Sequence, residues 1–399
     1  MKILIVSDWY SESMGYSENF LPMAFGKLNQ EVHLVTSNLQ VYATSTDYDK
    51  VYKNKLGNSQ TKTGVFKNLY FTLHRNYSEV SRYGINIIGL EEKIKKLNPD
   101  VIYCFEINLL TTALLAKLKP KYNFCLFCES RMHSSVFSPP TNLISKVKFW
   151  ISNRHFWLED VINNVDIFYP IAPDVYFNIT NYFCIPSDKC KLASLSVETG
   201  IFNSERNEVS VTRFREKLGF GDADIVCVYT GRFTADKGPL ILGQAIDYLH
   251  EIGYVFIKGL FIGCGDADYQ SQLQNCKGCT TLPFVEPKDL PNIYHSSDIG
   301  VWPLQESTSQ LDAMACGLPI IVNDTVEDVD RFEGNGMRFK KNDFKDLAKK
   351  ILILVETEQR VNMGAIGANR IKQKYSWEVF AQQRLVEFFY FINKKCTLL

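Results

Sequence analysis

The chain contains no apolar run approaching the ~18 residues a membrane-spanning helix needs, so its hydrophobic residues are read as core rather than as a bilayer anchor. It also has no excess of charge of either sign. Lys plus Arg and Asp plus Glu both number 44, which removes the global field that draws proteins to nucleic acid or to an anionic surface. Any polyanion site must therefore be local, and nucleic acid is not an expected partner. A disulfide framework is missing too: the 11 cysteines are odd in number and scattered through apolar stretches such as Phe124-Cys125-Leu126-Phe127-Cys128, as buried thiols of a reducing compartment are. The pairs Cys125/Cys128 and Cys276/Cys279 have metal-ligand spacing, but the first lies in an apolar strand and no nearby His completes a set. The opening run Met1 to Val6 is too short for a secretory leader and reads as a core strand. The cytoplasm is the expected location, and no internal repeat is detectable.

What is present fits two domains. At 399 residues the chain exceeds what one hydrophobic core usually supports, and 46% hydrophobic with 13% aromatic residues allows extensive burial. Residues 2–7 are a continuous apolar strand, followed by a loop with Gly15, a helical pattern over 18–28 and a β-branched strand over 31–36. That is a β-α-β unit of the doubly wound kind, whose ligand crevice lies outside the carboxyl ends of the strands. Further strands are expected at 68–74, 101–105, 123–128, 166–170 and 190–195, with helices at 83–97, 108–118 and 144–164. Polar residues 203–210 mark a linker. The second half restarts with a strand at 224–230, a helix at 239–252 and strands at 256–262, 280–282, 299–302 and 319–323. Two nucleotide-fold domains joined in this way predict a site in the cleft between them.

Two segments carry chemistry. Gly231-Arg232-Phe233-Thr234-Ala235-Asp236-Lys237-Gly238-Pro239 places two cations between a buried strand and a helix start. Amides at a helix start attract anions, a guanidinium forks onto phosphate oxygens and an ammonium supplies a compact charge. In the second, Glu306-Ser307-Thr308-Ser309-Gln310-Leu311-Asp312-Ala313-Met314-Ala315-Cys316-Gly317, Ser307 or Ser309 caps a helix ending near Gly317. Asp312 in that helix is placed to accept two ribose hydroxyls.

Together with Phe261-Ile262-Gly263-Cys264-Gly265 and Asp298-Ile299-Gly300-Val301-Trp302-Pro303, these phrases resemble the retaining glycosyltransferase family four, glycosyl transferases group 1, of the GT-B fold. Tyr375-Ser376-Trp377-Glu378 resembles its carboxy-terminal element, and the first half agrees more loosely. The resemblance implies an α/β protein of two facing Rossmann-like β/α/β domains with an interdomain cleft: 1–205 on the acceptor side, 206–374 binding the nucleotide sugar, and a final helix, 375–399, returning to the first domain. It implies that Arg232 and Lys237 grip the donor diphosphate, that Asp312 stands where the family has a ribose-binding Glu, that Phe284 and Val285 meet the base through backbone groups, and that Gly15 approaches the donor phosphates beside Gly231. The family's two acidic residues are separated by seven. Here that spacing falls on Leu304, so either Glu306 reaches the sugar across a shorter loop or Ser309 and Gln310 recognise it.

In the first half, Glu129 and His133 follow the 123–128 strand. His133 is expected to hydrogen-bond the transferred sugar or orient the acceptor, and Glu129 to assist the acceptor hydroxyl; Glu106 is a further candidate. No metal is expected. Asp222-Ala223-Asp224 enters a strand and Asp266-Ala267-Asp268 sits at a helix start, where Asp is a common cap. No other cofactor is expected, since Gly263-Cys264-Gly265 lacks the third glycine of a dinucleotide fingerprint. Residues 146–157 interleave cations and aromatics, a composition equally suited to core packing and to peripheral contact with the inner face of a membrane. The reading is therefore a metal-independent, retaining transferase moving sugar from a nucleotide-diphosphate donor to a glycan or lipid-linked acceptor in bacterial surface polysaccharide synthesis. Its rivals are a nucleotide-sugar epimerase on the same fold and a non-catalytic partner subunit.

Overall fold

The computed structural model describes residues 1–12, 14–81, 84–133, 137, 139–154, 158–193, 196–304, 307–326 and 332–396. The chain divides into two units, Met1–Leu195 with Phe380–Leu399, and Ser196–Val379.

Unit 1 is built from β1 (Lys2–Ser7), β2 (Glu31–Ser37), β3 (Gly64–Lys67), β4 (Thr72–Asn76), β5 (Ser78–Ser81), β6 (Gly84–Ile87), β7 (Val101–Phe105), β8 (Cys125–Ser130) and β9 (Ile167–Pro170). Seven of these form one sheet in the order β3-β4-β2-β1-β7-β8-β9. All its pairings are parallel except β3 with β4. Buried on both faces, such strands read as unbroken apolar runs. Alternate side chains then serve opposite layers: Leu126 packs with Leu115 and Ala116, whereas the Phe127 ring meets Phe388 at 4.4 Å. Phe388 belongs to the last helix, Trp377–Cys396, and also meets Phe25 at 5.7 Å.

Unit 2 contains β10 (Ile225–Thr230), β11 (Ile257–Ile262), β12 (Cys279–Leu282), β13 (Ile299–Trp302), β14 (Ile320–Asn323) and β15 (Gly336–Phe339). They form a parallel sheet ordered β12-β11-β10-β13-β14-β15. Counted within the unit this is 3-2-1-4-5-6, the doubly wound order whose switch point lies where the first strand meets the fourth.

Some elements depart from the sequence reading. The strand expected over 68–74 starts at Thr72, because Asn68 Oδ1 accepts from the amides of Tyr70 and Phe71, both at 2.8 Å, and turns the chain there. The helix expected over 83–97 is shorter: 84–87 pair with β5 as a hairpin and the helix is Leu90–Leu97. Over 144–164 there are two helices, Leu143–Arg154 and Leu158–Asn164. The first unit ends at residue 195 rather than 205. Residues after it pack on unit 2 instead, with Val197 N donating to Tyr375 O at 2.7 Å and His295 Nε2 against Asn203 O at 2.7 Å. Likewise 375–379 stay with unit 2, and the returning segment starts at Phe380.

Candidate functional site

In unit 2 the carboxyl ends of β10, β11 and β12 open onto a cavity of about 210 Å³ lined by Gly231, Arg232, Gly263, Phe284, Val285 and Ser309, among others. Two backbone features shape it. Gly263 has φ +151, and a Cβ there would lie 1.9 Å from Gly231 O, so the ends of β10 and β11 close up only with glycine. Gly238, at φ +66, is the N-cap of helix Pro239–Glu251, with Pro at the first helical position. The loop between strand and helix is pinned by Phe233 N donating to Cys264 O at 3.0 Å.

Arg232 is two-thirds exposed, its guanidinium 3.6 Å from Asp236. Lys237 is half-buried five residues on and does not line the cavity. Burial, and then the neighbouring Arg232 charge, push its ammonium below the usual range. Ser307 caps helix Thr308–Ala315 by accepting from Ser309 N at 3.3 Å, which sets Ser309 at the cavity wall. Gln310 and Asp312 follow on the same helix and do not line the cavity. Gln310 is buried, and its Nε2 has no hydrogen-bond partner among the described residues. Burial raises the Asp312 carboxyl to about 8, so at neutral pH it is largely protonated. Glu306 lies outside the described residues.

Unit 1 gathers its polar groups at the ends of β7 and β8. Glu129 is buried, and its carboxylate accepts from Tyr103 Oη at 2.9 Å, Ser17 Oγ at 3.2 Å and Arg131 Nε at 2.8 Å. Arg131 also binds Glu18 at 2.8 Å and lies over the Phe105 ring. A carboxylate so engaged holds its arginine in place. Glu106 sits beside it at φ +63, a conformation uncommon outside glycine. Its carboxyl accepts from Arg131 N at 3.0 Å, and burial pushes it up to about 7, partly offset by the Arg131 charge. His133 is more open, with Nδ1 3.2 Å from Asp174 Oδ1. Gly15 is exposed, two residues before helix Ser17–Lys27.

Among the described residues no three His, Cys, Asp or Glu side chains converge as a metal-binding group. Asp266 caps helix Ala267–Asn275, accepting from Asp268 N at 2.9 Å, and Asp224 Oδ2 accepts from Gly221 N at 2.8 Å. Both Asp-x-Asp tripeptides thus include a carboxylate with a local backbone task.

Residues 224–357, which hold the whole of this cavity, match the protein family described as Glycosyl transferases group 1. Through this segment, about a third of the chain, the protein is similar to the glycosyl transferases group 1. The relationship extends to spore coat protein SA of Bacillus subtilis, 29% identical over 189 residues, covering 43% of this chain and 50% of the relative. The alignment thus spans half the length of that protein. Similarity of fold reaches further. Sucrose-phosphate synthase from Thermosynechococcus elongatus superposes over 99% of this chain and 100% of its own with a TM-score of 0.70 at 14% identity. Anabaena HepE in complex with UDP does so over 98% and 100% with a TM-score of 0.67 at 14% identity. These likenesses show the GT-B fold.

Cavity residues that the sequence reading did not single out as donor-binding are Thr230, Ile262, Gly263, Cys264 and Leu290. Gly263-Cys264 was visible as a motif phrase, but its use depends on which strand end faces it. Asp174, the partner of His133, lies 41 positions away in the chain, and no spacing rule links the two.

Proposed function

We propose that the protein is a glycosyltransferase that takes sugar from a nucleotide-diphosphate donor held in unit 2 and delivers it, with retention, to a glycan or lipid-linked acceptor held by unit 1. The observation that carries this is the unit 2 cavity, where Gly231, Arg232, Phe284, Val285 and Ser309 converge at the carboxyl ends of the strands of a doubly wound sheet. The backbone at Gly231 and the Arg232 guanidinium receive the diphosphate, and Arg232 exchanges its Asp236 partner for phosphate oxygens. Lys237 adds a second charge, so that the negative charge growing on the leaving diphosphate is neutralised without a metal. Phe284 and Val285 border the base, and Asp312 the ribose. A protonated Asp312 adds no negative charge beside the diphosphate and retains acceptor capacity for a hydroxyl. Ser309 and Gln310 recognise the sugar. On unit 1, His133 with Asp174 orients a sugar or acceptor hydroxyl, and Gly15 serves the donor phosphates. HepE was captured with UDP and with UDP-glucose, which makes a uridine nucleotide the first donor to test.

Surface polysaccharide assembly is the proposed setting, with unit 1 touching the membrane from the cytoplasmic side. Helix Leu143–Arg154 has no acidic residue and exposes Leu143, Ile144, Val147, Trp150 and Ile151 beside Lys146 and Lys148, a composition that suits an anionic lipid interface. The aromatic end of this segment, 155–157, lies outside the described residues. Among the described residues no helix is long and apolar enough to cross a membrane.

A melting-temperature screen of nucleotide sugars, with and without a chelator, tests the donor assignment. A ligand at about 100 times its Kd adds about 2.7 kcal/mol to the form that binds it. One nucleotide sugar should stabilise the protein regardless of chelator, and mixing it with glycan acceptors should consume both. Stabilisation that vanishes with chelator refutes metal independence. Conversion of the donor with no acceptor present favours the epimerase, and no stabilisation by any donor favours the partner subunit.

A further inference from the structure

A second cavity, of about 320 Å³, lies wholly in unit 1 against the edge of its sheet, and no residue assigned above lines it. Leu73 and Arg75 alternate along β4 and so share one face, and Phe71, just before the strand, borders the same cavity. Phe66 of β3 stands opposite Leu73 in the antiparallel pair and borders the same space. The floor is buried: Tyr10, Phe71 and Leu73 are 5–6% exposed, and Arg75 3%. Arg75 is fixed by Tyr10 O at 3.2 Å, by Glu12 at 2.7 Å and by the Tyr10 ring, whose centroid is 5.3 Å from the guanidinium carbon. The rim carries Lys62, Lys67 and Phe66, all exposed, with Phe66 at 47%.

This combination is specific in its chemistry. Three cations face one carboxylate, so the cavity is electropositive in a chain of zero net charge. A buried guanidinium with five N–H donors, of which Tyr10 and Glu12 engage two, retains capacity for a planar or tetrahedral anion. The aromatic faces at floor and rim carry the negative potential against which the C–H groups of a pyranose pack. The volume falls in the range of small-ligand pockets, about 300–1,000 Å³. We infer that this cavity binds a pyranose bearing an anionic substituent, carboxylate or phosphate, as the recognised unit of the acceptor. The inference rests on the transferase reading of the protein, but not on any residue of the donor cavity.

Ligand-observed NMR on the full chain tests it with three probes: methyl glucuronide, glucose 6-phosphate and methyl glucoside. At least one anionic sugar should bind about tenfold more tightly than the neutral glucoside, a difference of about 1.4 kcal/mol, and the stronger of the two shows whether carboxylate or phosphate is the natural group. The exposed substitutions Lys62→Ala and Lys67→Ala together should abolish that preference with the melting temperature unchanged, and Phe66→Ala should weaken all three probes. Equal binding of the neutral glucoside, a preference that survives the double substitution, or no binding of any probe would overturn the inference. UDP binding measured on the same wild-type sample separates the two readings. Retained UDP binding without sugar binding condemns this cavity alone, whereas loss of UDP binding condemns the donor assignment.

Discussion

The two units share a strand order, yet they build their polar sites by opposite means. With β3 set aside as an antiparallel edge, unit 1 runs 3-2-1-4-5-6 just as unit 2 does. In unit 2 the site is made largely of backbone: glycines at two strand ends, a helix entrance and two cations five positions apart. In unit 1 it is made of side chains from distant positions, Glu18, Tyr103, Glu106, Glu129 and Arg131, locked to one another in the buried sheet ends. On the proposed reading, unit 2 offers a surface for an anion. The other has a satisfied internal network, with His133 and the β4 cavity as its accessible chemistry.

The largest expected effect lies in the packing of unit 1. Phe388→Ala empties a space between Phe25 and Phe127, and should cost about 3–5 kcal/mol in denaturant unfolding. A loss under ~1 kcal/mol would mean that the last helix does not complete that core. Arg131→Ala leaves two carboxylates facing each other without their cation and should cost about 3 kcal/mol. If Glu129 were instead a catalytic base, Glu129→Gln would abolish transfer with a pH profile to match; the network predicts loss of stability and an unchanged profile for the turnover that remains.

Unit 2 should respond in catalysis rather than folding. Arg232 is exposed and Lys237 half-buried, so Arg232→Ala and Lys237→Ala should leave the melting temperature close to wild type while each lowers transfer at least ~100-fold, the scale of removing one charge-stabilising donor. Near-normal turnover in both would detach the loop from the chemistry.

pH should separate the units as well. Asp312 is raised to about 8 and Glu106 to about 7 by burial, so each holds its proton more tightly folded than unfolded. Stability should therefore fall as pH rises from the ordinary carboxylate range near 4 through these values, since the folded state binds more protons across that window. Asp312→Asn should flatten the part of the decline that extends to pH 8, and Glu106→Gln the part that ends near 7. Melting temperatures across pH 4–9 give the answer, and unchanged slopes in both variants would contradict the burial of the two carboxyls.

This contrast also explains what was legible in the sequence. In unit 2 the strands β10 to β14 and the glycine turns were readable because strand, turn and helix start are contiguous there, and close backbone approach demands glycine at fixed positions; β15 was not anticipated, and Phe284 and Val285 were expected only through the family resemblance. Asp312 and Gln310 were placed on the correct helix, but which side of it meets the cavity depends on where Ser307 caps the helix. In unit 1 the strands β1, β2, β7, β8 and β9 were readable as apolar runs and β3 was not, whereas the joining of Glu18 to Arg131 and of His133 to Asp174 arises only when the sheet order brings separate loops together. Strand β6 was hidden inside a helical pattern, since Gly84 to Ile87 is too short a stretch for periodicity to separate strand from helix.

The central claim is that the Arg232 loop receives a nucleoside diphosphate, and calorimetric titration of UDP into the wild type and the Arg232→Ala, Lys237→Ala double variant tests it most directly. The account predicts saturable binding by the wild type, weakened at least ~100-fold in the folded double variant. Equal affinity in the two proteins would contradict it.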